Sequence, residues 1–331
     1  MKEKKQPPSS EDYFGKLTIK QPYTRRRFFA EHIRGYIDLL RPFTLMAPFI
    51  VGMSIMVASM VYNQVEIEPD WWAKVGHASL TIAMVNAASN ALNQAADEES
   101  DRISKPYRPI PRGVVGADEA QSLAYILYLF ALLRALTVNQ WFGLLIFLIM
   151  VFTVLYSLPP RMKRFLFINQ VWIAIPRGLL GILAAWSVFG YPFQRLPLII
   201  GGLATLYLIG GMTTKDIVDA KADSLVGVKT LVNVFGVRQA ALISFPFLIL
   251  PFILIPVCID LGLLERFLWP LSLLMIGSLI IFYLMFIGDR ESETLENIHA
   301  WAVMYTVYIF YALGFAVLTI FHEPLQAILS L

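Results

Sequence analysis

A succession of apolar runs, each long enough to cross a bilayer, limits the fold more than any other feature of this sequence. About 20 apolar residues in a helix span the hydrocarbon core of a membrane. Only 15% of the 331 residues are charged and 57% are hydrophobic, whereas a soluble domain carries about 25% charged residues. We therefore predict an all-α polytopic membrane protein with nine transmembrane helices around a central cavity. The predicted spans lie near residues 43–62, 77–96, 120–137, 141–158, 167–189, 196–214, 239–259, 267–288 and 300–321.

Residues 1–38 differ from the rest, because they are polar and basic, and we assign 39–331 to the transmembrane domain. No uninterrupted apolar core precedes Leu39, so we expect no cleaved signal peptide. The proline and serine residues at 7–10 predict that this leader is partly disordered. Residues 25–40 fit a short amphipathic helix on an anionic leaflet, and they fit a simple topology signal equally well.

Two rows of polar residues follow two of the apolar runs at helical spacing. Residues four apart on a helix lie on one face, and stacked carboxylates repel each other unless a cation or several donors lie between them. Two such rows at corresponding helix ends predict a Mg²⁺ site that receives phosphate oxygens; the alternative is two solvated loops. The first row is Asn93, Asp97 and Asp101, and the second row is Asp216, Asp219 and Asp223.

The position of the two rows also suggests an internal duplication. The first row ends the second predicted span and the second row ends the sixth. Two four-helix halves plus one further helix would place the rows in corresponding positions. We therefore expect them to face each other across the central cavity.

The distribution of Lys and Arg predicts the orientation. If the N-terminus is inside, most basic residues fall on the inside segments, as the positive-inside rule requires. Both rows then lie on the cytoplasmic side of an integral, multi-pass protein of a cell or organelle inner membrane. The bases left on the outer segments and span ends are Lys74, Arg134, Arg195 and Arg266.

Carboxylates beside bases, at the mouth of an apolar cavity, suit a diphosphate with a long hydrocarbon tail. Neutralising the charge of a leaving diphosphate makes cleavage of an allylic C–O bond feasible. A cavity rich in aromatic rings and poor in water protects the resulting cation. The partners expected are therefore a polyprenyl diphosphate, an acceptor and the lipid bilayer, and no nucleic acid.

Three motifs, in matching order, resemble those of the UbiA superfamily of intramembrane prenyltransferases. The first row continues into residues 105–113, KPYRPIPRG, and the second row follows Lys215. Between them, residues 156–160, YSLPP, resemble the tyrosine and proline loop of the superfamily. The resemblance covers about residues 36–320 and implies Mg²⁺-dependent transfer of a polyprenyl, geranylgeranyl-like chain from its diphosphate to an aromatic or lipid acceptor.

The resemblance also implies roles for individual residues. Both rows would bind Mg²⁺ and diphosphate, with Asp97, Asp101 and Asp216 essential for catalysis, and Tyr156 would steady the allylic cation or the leaving group. Asn93 would contact the substrate as well as the metal. The other substrate contacts implied are Arg102, Arg108 and Lys163 for phosphate, Arg41 for the acceptor and Lys215 for either substrate.

Some features leave alternatives open. Asn93-Gln94 and Ala222-Asp223 depart from common forms of the two motifs, so the acceptor remains open between quinone or chlorophyll types and geranylgeranylglyceryl phosphate. Arg177 lies inside an apolar span, where it either faces a cavity and binds substrate or has a structural role. A secondary transporter with an acid-lined cation site is the alternative function.

Overall fold

A computed structural model describes residues 25–287 and 298–322 of the chain. The prediction of a partly disordered leader falls mainly on residues outside these ranges. The described part of the chain is helical, with no strand. Its helices are α1 (Arg25–Leu40), α2 (Pro42–Tyr62), α3 (Trp71–Ala96), α4 (Glu98–Ser104), α5 (Ala117–Leu136), α6 (Gln140–Ser157), α7 (Ile168–Trp186), α8 (Arg195–Gly211), α9 (Asp216–Leu225), α10 (Leu231–Phe235), α11 (Val237–Asp260), α12 (Met275–Ile287) and α13 (His299–Ile320).

Eight helical segments in the described residues are long and apolar enough to cross a membrane, and each matches a predicted span. The remaining predicted span, 77–96, coincides with α3, which has 26 residues and is therefore long enough. Helix α3 is less apolar because Asn86, Asn90 and Asn93 recur on it near the acidic end, and Asn90 is buried. The all-α multi-pass fold is confirmed, whereas the count of nine stays a prediction.

Small residues allow the helices to pack closely. Helix α3 lies against α2 and α5, and its contact face is rich in buried alanine. Helices α7 and α8 approach so closely that a Cβ on Gly178 would collide with Oγ1 of Thr205. Small residues at helix contacts are a general feature of membrane bundles, since lipid gives no hydrophobic drive for helices to associate.

Helix α1 is fastened to the end of the bundle that carries the acidic rows. Its last carbonyl groups would lack intrahelical partners. Gln94 Nε2 donates to the Leu39 carbonyl at 2.7 Å, and Asn90 Nδ2 donates to the Leu40 carbonyl at 2.9 Å. Polar residues of α3 therefore hold the junction between α1 and α2.

Candidate active site

A cavity runs from the acidic end of the bundle toward its middle, between α2, α3, α6, α7, α8 and α13. Part of the first row and the whole second row meet here, since Asp97 lines one wall and Asp216, Asp219 and Asp223 line another. Basic residues stand among these acids. The charged residues lining the cavity are Arg41, Asp97, Lys105, Lys163, Arg177, Lys215, Asp216, Asp219 and Asp223.

Asp97 is the centre of the first wall. Its carboxylate accepts from Asn93 Nδ2 at 2.9 Å and from Arg161 Nη2 at 2.5 Å, and it pairs with the ammonium group of Lys163. Burial acts to raise the pKa of Asp97, but Lys163 and Arg161 more than offset it, so the pKa lies below its usual value. Asp97 is therefore an anion held between two cations.

Asp101 is placed differently from the sequence prediction. The backbone of Asp97, with φ −105° and ψ 13°, separates α3 from α4, so the first row does not continue along one helix. The Asp101 carboxylate is buried and accepts from Arg108 Nη1 at 2.8 Å, and it is not part of the cavity wall. Burial raises its pKa despite this arginine. In this conformation Asp101 holds the loop after α4 rather than facing the cavity.

The second wall is a connected hydrogen-bond network. The Asp216 carboxylate accepts from Lys215 Nζ at 2.9 Å, Gln170 Nε2 at 3.1 Å and Asn169 Nδ2 at 3.3 Å. Lys215 Nζ also donates to the Tyr156 hydroxyl at 2.9 Å, and that hydroxyl donates to Asn169 Oδ1 at 3.0 Å. Tyr156 is thus tied to the carboxylate row through shared donors.

Lys105 connects the two halves of the site. It follows the first row in sequence but its ammonium group pairs with Asp219 of the second row. Arg102, by contrast, lies on the exposed side of α4 and donates to Glu98 at 2.7 Å. The structure therefore brings Lys105 to the cavity and leaves Arg102 outside it, because the backbone at Lys105, with φ −138° and ψ 58°, has left the helix that carries Arg102.

Arg41 stands between α1 and α2 in a left-handed conformation, with φ 54° and ψ 67°. A non-glycine residue adopts this conformation at some cost and only where its surroundings fix it. Here the unusual backbone lets the guanidinium lie 5.2 Å from the centre of the Phe43 ring. Its side chain lines the reaction cavity and also a second cavity, which lies between α1 and the loop after α4.

The deep part of the cavity is aromatic and contains one further base. Arg177 lies in a π-helical segment of α7, Pro176–Leu180, and its carbonyl accepts from the Tyr308 hydroxyl at 2.6 Å. Its side chain lines the cavity, as one of the two sequence alternatives expected. The aromatic residues in the wall are Phe152, Tyr156, Trp172, Trp301, Tyr305 and Tyr308.

Sequence reasoning missed several residues of the site. Asn169 and Gln170 hold Asp216, and Arg161 holds Asp97. The signal for Asn169-Gln170 is a polar pair at the start of an otherwise apolar span. Arg161 has no such signal and counts only as a topology charge, because nothing in its local sequence separates a base at a membrane boundary from one that turns into a cavity.

The donor set of the cavity suits Mg²⁺. Its carboxylate and amide oxygens are hard ligands. No three His, Cys, Asp or Glu residues of the described ranges are arranged to hold a metal by themselves. Proteins bind Mg²⁺ through one or two carboxylates, with phosphate oxygens and water completing the shell.

Fold and site together define a helical membrane protein whose cavity is lined by aspartates of both rows, and the comparisons place it in a family. The model of the UbiA prenyltransferase family matches residues 46–299. The chain therefore belongs to the UbiA prenyltransferase family, and it is a prenyltransferase. The resemblance read from the motifs is confirmed.

Individual relatives agree with this family. A digeranylgeranylglyceryl phosphate synthase of Methanosarcina mazei is 28% identical over 254 residues, which are 75% of this chain and 87% of that protein. A 2-acyl-4-prenylphloroglucinol 6-prenyltransferase of Humulus lupulus is 29% identical over 226 residues, 65% of this chain and 55% of that one.

A solved structure shows the same fold. It is that of a UbiA homologue from Archaeoglobus fulgidus bound to GPP and Mg²⁺, with a TM-score of 0.67 and 19% identity. The match covers 86% of this chain and 99% of that one. At this identity the likeness supports the fold, and the site must be argued from this chain's own residues.

Proposed function

We propose that the protein uses Mg²⁺ to transfer a geranylgeranyl-like chain from its diphosphate to a lipid that bears a phosphate, of the prenylated glycerol phosphate type. The observation that carries this proposal is that Asp97 of the first row and all three aspartates of the second row, interleaved with bases, line one cavity. The relatives named digeranylgeranylglyceryl phosphate synthase support the acceptor class. The plant relative makes an aromatic acceptor the second candidate.

Asp97 on the first wall and Asp216, Asp219 and Asp223 on the second would hold the metal together with the diphosphate. Bound Mg²⁺ supplies charge neutralisation on the leaving group. Asn93 supports Asp97, and Asn169 supports Asp216, by donating to the carboxylates. These amides hold the carboxylate oxygens in place before substrate arrives, which lowers the cost of ordering the site.

The lysines of the cavity have a second task. Lys163 pairs with Asp97, Lys105 with Asp219 and Lys215 with Asp216. When metal and diphosphate enter, the carboxylates gain a new cation and the ammonium groups gain new anionic oxygens. Each lysine can then turn from its carboxylate to a phosphate oxygen, so the site stays close to neutral in both states.

Aromatic residues shape the environment of the reacting carbon. The Tyr156 ring lies beside the carboxylate network, and Lys215 Nζ is 5.6 Å from its centre. Once the ammonium group turns to phosphate, the ring face is open to a developing allylic cation. Breaking the C–O bond leaves its electron pair on the diphosphate; the acceptor hydroxyl oxygen then bonds to the allylic carbon and loses its proton, which the released diphosphate can take.

The orientation belongs to the same proposal. Most bases of the chain fall on the segments at the acidic end, and cytoplasmic loops are those enriched in Lys and Arg. We therefore infer that the site opens to the cytoplasm. A secondary transporter, the alternative from the sequence, would place its acids near the membrane middle, whereas these acids stand at one end among bases.

Calorimetry of Mg²⁺ binding tests the proposal. In detergent, the purified protein should bind Mg²⁺ weakly alone and at least about tenfold more tightly with a non-hydrolysable geranylgeranyl diphosphate analogue, since phosphate oxygens complete the shell. Asp216→Asn should remove this coupling, whereas Glu99→Gln, an exposed acid of α4, should leave it unchanged. Tight Mg²⁺ binding that ignores the analogue would contradict the proposal and favour a transporter.

A further inference from the structure

A second cavity lies beside the reaction cavity, outside the carboxylate rows. It has a volume of about 300 Å³ and is enclosed by α1, the start of α2 and the loop after α4. Four of its lining residues are arginines and one is an acid, so its walls carry an excess of positive charge. The lining is Arg34, Asp38, Arg41, Pro42, Phe43, Tyr107, Arg108, Pro109 and Arg112; we call it the basic pocket.

The arginines come from three separate parts of the chain. Arg34 is on α1, Arg41 joins α1 to α2, and Arg108 and Arg112 are in the loop after α4. Asp38 lies 3.8 Å from Arg34 in an exposed pair, and Asp101 behind the wall pairs with Arg108, so the carboxylate inside the pocket itself is Asp38. Like charges gathered by folding repel one another and are stable only where an anion or solvent offsets them. This arrangement suits a phosphate, which accepts forked hydrogen bonds from several guanidinium groups at once.

The pocket is built on a rigid support. Arg108 is buried and held by Asp101 at 2.8 Å. The end of α1 is held by Gln94 and Asn90, and a Cβ on Gly35 would lie 2.7 Å from a Val114 methyl, so α1 packs tightly on the loop. Arg34 and Arg112 are exposed at the rim. Two arginines are thus fixed inside the wall and two remain accessible to an entering ligand.

The outer face of α1 places the pocket at the surface of the bilayer. Phe29, Ile33 and Ile37 are spaced four apart, and 68%, 46% and 51% of their surface is exposed. Such a stripe on a helix that also carries arginine is typical of a segment lying in the interface of a membrane. With this stripe in the leaflet, the basic pocket lies at the depth of lipid head groups.

We propose that the basic pocket binds the phosphate head group of a lipid in the same leaflet, and that Arg41, which lines both cavities, connects this head group to the reaction site. This rests on the proposed function, because a phosphate-bearing acceptor held there has its reacting end beside the allylic carbon. The same chemistry fits an anionic phospholipid of the bilayer. The two sources can be separated by experiment.

The first measurement reads binding without turnover. The whole protein, in nanodiscs of phosphatidylcholine, is titrated with dodecylglycerol phosphate and with uncharged dodecylglycerol. We expect the phosphate form to bind at least about tenfold more tightly, and Arg34→Gln/Arg112→Gln to remove most of this preference. Asp38→Asn should strengthen binding of the phosphate form, a change that a folding defect cannot imitate. The matched control, Lys221→Gln/Lys229→Gln, removes two exposed charges outside both cavities.

The second measurement identifies the source of the head group. If the acceptor occupies the pocket, Arg34→Gln/Arg112→Gln raises the KM for geranylgeranylglyceryl phosphate about tenfold and leaves the KM for the prenyl diphosphate unchanged. If a bilayer lipid occupies it, added phosphatidylglycerol changes the wild-type rate and this effect disappears in the variant. Either result supports the pocket. If the wild-type protein binds the two dodecyl lipids equally, the proposal that the basic pocket binds phosphate is wrong. That conclusion holds even if the protein is found to transfer a prenyl chain to a phosphate-bearing lipid.

Discussion

The two walls of the reaction cavity carry the same kinds of residue and use them differently. On the first wall only Asp97 of the two aspartates lines the cavity, while Asp101 is buried against Arg108. On the second wall all three aspartates line it. The first wall therefore uses one carboxylate, Asp101, to hold its own loop. On the second wall the carboxylates pair with one lysine from each half of the chain, Lys105 and Lys215.

The two walls therefore differ in whether their ion pairs can change partner when substrate binds. Arg108 and Asp101 are both nearly inaccessible, with 5% of each side chain exposed, and a pair so buried cannot change partner without a large cost. The Lys215 side chain is 25% exposed and that of Asp219 is 28% exposed. The second wall is accordingly the one expected to rearrange when diphosphate binds.

The largest effects should come from the carboxylates that face each other. Asp97→Asn and Asp216→Asn should each lower kcat by about 10³-fold, because each removes a metal ligand and its charge from the transition state. If both walls hold one diphosphate, the double variant should be little worse than either single one. Steady-state kinetics of the three variants beside Glu99→Gln measure this, and losses that simply multiply would show that the walls act independently.

Lys105 should have the next largest effect, since it crosses from one wall to the other. Lys105→Met removes a cation from the cavity and leaves Asp219 without its ammonium partner. We expect the KM for prenyl diphosphate to rise about tenfold. Arg102→Met tests the sequence prediction that Arg102 contacts phosphate. Because Arg102 pairs with Glu98 outside the cavity, the KM of this variant for prenyl diphosphate should change less than about twofold. A larger effect at Arg102 than at Lys105 would reverse this assignment.

Asp101 should act on stability more than on metal binding. Asp101→Asn leaves the Arg108 guanidinium buried with a weaker partner, and breaking a buried pair costs about 3 kcal/mol. We expect the melting temperature in detergent to fall, while coupling between Mg²⁺ and the diphosphate analogue is retained. Replacing the pair together, as in Asp101→Leu/Arg108→Met, should restore part of the loss. Unchanged melting with lost metal coupling would instead return Asp101 to the ligand set.

Whether a feature of this protein can be predicted from its sequence depends on how far apart in the chain the interacting residues lie. The spans follow from local composition and the rows follow from helical spacing, so both can be predicted from residues that are neighbours in the chain. The pairing of Lys105 with Asp219 joins residues 114 positions apart, and local spacing carries no information on it. The spacing argument for Asp101 assumes an unbroken helix, whereas the backbone at Asp97 leaves helical values before the row is complete; its role as a metal ligand stays a prediction.

The smallest effect on activity should come from two cysteine substitutions that test whether both walls of the cavity open on the same side of the membrane. Glu99 on α4 and Ser224 on α9 are exposed, and each lies close in sequence to one row. With Cys258 replaced by Ser, Glu99→Cys and Ser224→Cys should retain activity. From the excess of bases at this end we expect both in the cytoplasm, so an impermeant maleimide should label both in inverted vesicles and neither in intact cells. Arg195→Cys, at the start of α8, should show the opposite pattern. Labelling of Glu99→Cys and Ser224→Cys from opposite sides would contradict a single cavity mouth, because one diphosphate could not then reach both walls.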